Sequence, residues 1–256
     1  MHRSTLHGCD RSAPLAYRRV LVVTVLLMGV VQGVWAGAAG AFVPRNIVRP
    51  IAAGYHVGII THDPGDAFSL TASGDTVVAA GYRWNSDAND RAVFWSDGSA
   101  VAATEQTCDS WTSADPEQQE GVALRITFRS GVTKALTVTK NIWGEANWFF
   151  NVHFMDSGDV RTPFVLLGQF DVAPAVSRSR TDAAGPWHLC ARTVGDELSF
   201  VVWRAGEPQP AYGTPGEGGS VSIPSEVPSR GFAGWYFGHV RAGGSIDYTD
   251  LSATAR

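Results

Sequence analysis

Lysine is nearly missing from this chain of 256 residues: only Lys134 and Lys140 occur. Charged residues of all kinds make up 17%, and the formal net charge is −4. No basic field exists to hold a phosphate backbone, which excludes nucleic acid as a partner. Cysteines number three, none at C-x-x-C spacing, so a zinc site of that type is excluded. No G-x-S-x-G occurs, which removes the nucleophile elbow of α/β hydrolases. After Ala41 no stretch of ten or more residues carries an apolar stripe of helical period. A chain 45% hydrophobic is nevertheless too apolar to be disordered.

What is present begins with an address. Arg18 and Arg19 precede the apolar run Val20 to Val31, and small residues follow from Ala36 to Ala41. That order is a secretory signal peptide, with cleavage after Ala36 or Ala41. Residues 1–41 are therefore read as a signal; retained, the same segment is long enough to be a membrane anchor. Either outcome exports the rest, so the expected location is secreted or extracytoplasmic, including association with the cell envelope. The segment carries four arginines against Asp10, a net +3, so the remainder moves from −4 to −7. Abundant Ala, Gly, Arg and Val with scarce Lys resembles exported proteins of high-GC bacteria. Cleavage leaves Cys108 and Cys190, and an oxidising exterior favours a disulfide between them.

From residue 42 to 256 the pattern has period two. Val122, Leu124, Ile126 and Phe128 alternate with Ala123, Arg125, Thr127 and Arg129, which predicts a half-buried strand. Ser130-Gly131 turns it into Val132–Ile142. Trp148 to Met155 and Phe164–Ala173 read as further strands. Trp187–Val194 and Glu197–Arg204 form a hairpin around Gly195-Asp196, where a leading glycine suits a type II′ turn. Tyr55–Thr61, Ala67–Ala72, Thr76–Arg83, Ala92–Trp95, Ser220–Ile223, Gly234–Val240 and Ser245–Ala253 complete the series. About a dozen short strands with no second core predict one all-β domain, a two-sheet antiparallel β-sandwich.

Four segments carry a resemblance. The hairpin Trp187–Trp203, the glycine-framed strand Gly231–Gly238, the closing segment Ile246–Ala253 and the strand Gly121–Phe128 resemble the concanavalin A-like lectin/glucanase superfamily, with its laminin-G-like jelly rolls. The resemblance is one of fold. It implies two curved antiparallel sheets, the concave one often holding a glycan. Laminarinase-like members place their acids as E-x-D-x-E along one strand face. This chain has no such motif, so it departs from the family where hydrolysis is concerned.

The remaining clusters set the candidate site. Asp115 to Glu120 reads as a solvated acidic loop, and Asn85, Asp87, Asn89 and Asp90 form an oxygen-rich loop that could take calcium. No other cofactor or metal site is indicated. Eight tryptophans follow Ala41, and a flat exposed ring offers an apolar face to sugar C–H groups. Trp84 with Asn85, Trp143 and Tyr236 are the aromatic candidates, and Arg125, Asn151, His153 and Gln169 could line the sheet between them. The expected function is a secreted, non-catalytic, lectin-like carbohydrate-binding module. The alternatives are a glycan hydrolase using Asp156 or Asp171 with His153, and a cell-envelope structural or adhesion protein with a protein partner.

Overall fold

A computed structural model describes residues 51–63, 67–82, 89–113, 115–176 and 186–255. The chain divides into two units, Met1–Val43 and Pro44–Arg256, and every described residue lies in the second. The signal segment, Trp84 and Asn85 lie outside the described residues. Among the described residues no helix is long and apolar enough to cross a membrane.

Among the described residues, fourteen strands form two antiparallel sheets of seven. The front sheet runs β1 (Tyr55–Thr61), β4 (Arg91–Ser96), β13 (Phe232–Gly238), β6 (Gln119–Arg129), β7 (Val132–Lys140), β8 (Phe149–Asp156) and β9 (Phe164–Asp171). The back sheet runs β12 (Gly218–Ser222), β11 (Glu197–Arg204), β10 (Trp187–Val194), β5 (Glu105–Ser113), β14 (Ser245–Ala255), β3 (Thr76–Gly81) and β2 (Phe68–Ser73). The all-β sandwich expected from the alternation is the fold observed.

The hairpins follow their turn residues. β10 and β11 pair from Trp187 with Arg204 to Val194 with Glu197, and Gly195 at the turn takes φ +58°. At the β6–β7 turn both Ser130 and Gly131 lie in the left-handed region, as a two-residue hairpin loop with the strands' twist requires. The alternation does not predict β5. Its inward positions are Thr107, Asp109 and Trp111, so it lacks the apolar alternation, yet it is central in the back sheet.

The main core lies between the sheets. Phe94 meets Tyr248, Phe68 meets Phe237, and Phe150 stacks against Trp187 and Phe200. Cys108 and Cys190 are directly opposed on β5 and β10 and form the expected disulfide.

One strand departs from the expected pattern. Val122 and Leu124 enter the main core, but Ile126 belongs to a second apolar cluster, and Phe128 is exposed. Arg125 is the cause: it takes φ +52°, and the pairing of β6 with β7 slips between Leu124 and Thr127. A bulge of one residue sends every later side chain to the opposite face.

Candidate ligand-binding face

The front sheet has a free face turned away from the main core. Across its middle stand Gly58, Val93, Tyr236, Gly121, Thr139, Asn151 and Gln169, in register from β1 to β9. This face is rolled on itself. Arg91 on β4 places its guanidinium 5.0 Å from the ring centre of Phe164 on β9. A Cβ at position 58 on β1 would stand 2.6 Å from Thr133 Cγ2 on β7, so glycine permits that approach. Ile60, Val93, Trp95, Ile126, Met155 and Tyr236 fill the interior of the roll as the second cluster. Trp95 stacks on Phe232 at 5.6 Å and on His56 at 5.4 Å. The trough expected to cradle a glycan is thus occupied over its centre by the protein's own side chains.

This placement separates the candidate residues. Tyr236 is fully buried, and its hydroxyl donates to Gln119 Oε1 at 2.6 Å. His153 is largely enclosed, edge-on to Phe164 with ring centres 6.1 Å apart. Burial and then the Arg91 charge hold its imidazole down at a pKa of about 4, so it is neutral at pH 7. Arg125 lies toward the other end of β6, where its guanidinium donates to the carbonyls of Ala103, Gly195 and Pro228. It clamps three segments instead of presenting a charge.

Trp143, Asn151 and Gln169 are brought together. Gln169 on β9 is exposed, and its Nε2 donates to Asn151 Oδ1 at 2.8 Å. Asn151 Nδ2 donates to Asn141 Oδ1 at 3.2 Å. Asn141 Nδ2 in turn donates to the carbonyls of Trp143 and Ala146. This amide relay holds a short 3-10 turn, Trp143–Glu145, whose second residue Gly144 takes φ +61°. Trp143 is 81% exposed on that turn. Residue chemistry alone does not mark Asn141; its place near Trp143 at a strand end is the available signal. An uncovered indole supplies an apolar plane, and the exposed Gln169 amide supplies a directional donor and acceptor beside it.

The acidic groups are arranged otherwise. His153 and Asp156 are an odd number of residues apart and so face opposite sides of β8. Asp156 pairs with Lys134 at 2.7 Å. Asp171 stands opposite Phe149, four residues from His153, or about 13 Å along the strand. It accepts from the Ala173 amide. Neither acid forms with His153 a pair that could span one glycosidic bond. The stretch Asp115 to Glu120 is no solvated loop: Gln118 and Glu120 are fully buried, and Gln119 and Glu120 are the first two residues of β6. In the oxygen-rich loop, Asn89 accepts from Arg91, and its Nδ2 lies 3.5 Å from Asp63. Among the described residues no group of three His, Cys, Asp or Glu side chains is placed to hold a metal.

No sequence-family description matches this chain, and no curated protein matches it in sequence. Solved structures align with most of its length. A carbohydrate-binding module, CBM66 from Bacillus subtilis, aligns with TM-score 0.48 and 9% identity over 82% of this chain and 99% of its own. A Bacillus subtilis protein of unknown function with a galectin-like fold gives TM-score 0.47 and 14% identity, covering 79% and 90%. The exoplasmic/lumenal domain of VIP36, in its Ca2+/Man3GlcNAc-bound form, gives 0.46 and 11%, covering 79% and 84%. These are likenesses of overall shape; the fold assignment rests on the strand pairing above.

Proposed function

We propose that this chain is an exported, non-catalytic carbohydrate-binding module that holds its ligand at the rim of the rolled sheet. The observation that carries this reading is Trp143, an 81% exposed tryptophan on a turn braced by three connected amides. Exposing so large an apolar ring forfeits burial that a sandwich core normally exploits. Stacking on a sugar ring would recover it, with Gln169 accepting or donating at the sugar's hydroxyls. The signal-like segment 1–41 and the Cys108–Cys190 disulfide suit an oxidising exterior.

Binding to a broad glycan array is expected, and Trp143→Ala is expected to weaken it at least tenfold. Because the ring is exposed, the unfolding midpoint should move little. An array with no bound glycan, or unchanged binding by the variant, would sink the reading.

A second reading, a cell-envelope adhesion protein, is favoured by one feature. β9 is the edge of the front sheet, and Phe164, Val165 and Leu166 on it are exposed. An apolar edge strand is suited to pairing with another chain.

A further inference from the structure

Lys140 is the only lysine among the buried residues, and it is completely buried, as is Glu120. Glu120 lies on β6 and Lys140 on β7, one step beyond the paired residues Gly121 and Thr139. Lys140 Nζ stands 2.8 Å from Glu120 Oε2 and donates to the Pro116 carbonyl at 3.2 Å. Asp109 enters the same core from β5 of the facing sheet, and neither of its carboxyl oxygens has a hydrogen-bond partner.

We propose that Lys140 and Glu120 condense into an intramolecular amide, with Asp109 as the assisting acid. Proton transfer within the ion pair gives a neutral amine and a neutral carboxylic acid. The amine lone pair attacks Glu120 Cδ and forms the Nζ–Cδ bond. The Cδ–OH bond breaks, and the hydroxyl takes the nitrogen's surplus proton and leaves as one water. No electrons are exchanged with any oxidant or reductant. Asp109 donates a hydrogen bond to the oxygen that gains charge during the attack.

Three physical circumstances favour the step. The reacting groups are already in contact, so the entropic cost of bringing them together is met by folding. Desolvation makes a buried ion pair expensive, and a neutral amide removes both charges. Burial, with the Glu120 charge adding to it, holds the Asp109 carboxyl well above the usual carboxylate range, which favours its protonated, hydrogen-bond-donating form. Burial, and then the charges of Glu120 and Asp109, hold the Tyr248 phenol well above its ordinary range, and its hydroxyl donates to the Tyr236 carbonyl at 2.7 Å.

The test is the mass of the purified full chain after reduction and denaturation, with its N-terminus fixed by sequencing. A mass lower than the sequence mass by one water is expected. Trypsin should leave a branched peptide joining Lys140 to Glu120, because acylated lysine resists cleavage. Lys140→Arg should have its full sequence mass, a result readable whether or not that variant folds. Asp109→Asn should form the bond more slowly or not at all, while circular dichroism reports whether its sheets persist. Wild-type protein at full sequence mass, or a water loss mapped elsewhere, would overturn the proposal. Complete bond formation in Asp109→Asn would overturn the role given to Asp109.

Discussion

Arg125→Met is expected to lower the unfolding free energy by about 3–5 kcal/mol, the range seen when a buried charge network loses one member. Arg125 is 3% exposed. Its guanidinium satisfies carbonyls of Ala103, Gly195 and Pro228, which belong to three different connections. Removing it orphans those carbonyls, and each buried acceptor left unpaired carries a desolvation cost. The left-handed backbone at position 125 is unchanged by methionine, so the loss reports on the guanidinium. Arg125→Lys should recover only part, since one ammonium cannot reproduce the planar fork. Urea denaturation measures both. A cost below about 1 kcal/mol for Arg125→Met would contradict the clamp.

The second large effect is a cancellation that single variants should expose. Glu105 accepts from the Arg125 amide at 2.6 Å, yet burial raises its carboxyl to a pKa of about 7. Arg125 pulls in the opposite direction without prevailing. A carboxyl raised in the folded state contributes stability in full below its unfolded pKa of 4.5, and that contribution is lost as pH rises through 7. His153 has the opposite sign. Its pKa falls from 6.5 to about 4, so its contribution is full above 6.5 and is lost as pH falls through 4. Between about pH 4.5 and 6.5 the two slopes offset each other. The wild-type protein should therefore show nearly level stability there from these two groups. Glu105→Gln should leave stability rising with pH by about 3 kcal/mol, and His153→Gln should leave it falling by a similar amount. Denaturation midpoints at pH 4, 5.5 and 7 decide this. Level profiles in both single variants would refute it.

Much of the fold was legible because the sandwich writes itself as alternation. The Trp187–Val194 and Glu197–Arg204 strands match the expected bounds, since apolar spacing and the Gly195 turn point the same way. β5 was illegible because its inward positions include Thr107 and Asp109, whose role appears only when the facing sheet is in place. The face reversal at Arg125 was also hidden, since an arginine gives no local sign of a bulge. In the candidate site, residue chemistry points to Trp143, Asn151 and Gln169, and the amide relay brings these three together. Tyr236 and His153 were placed with them because a strand pattern gives the face of a sheet and not its curvature. The rolling that buries both comes from contacts between strands distant in order, such as Gly58 with Thr133.

That rolling has a consequence for solvent access to the backbone. The strands β13, β6 and β7 are walled by the main core on one side and by the second cluster on the other. Water cannot approach their amides by the opening of either layer alone. Their protons should exchange with deuterium only through global unfolding, whereas amides of the edge strands β1, β2, β9 and β12 should exchange through local fraying. Among the described residues the slowest-exchanging part is therefore the three middle strands of the front sheet, held between two cores.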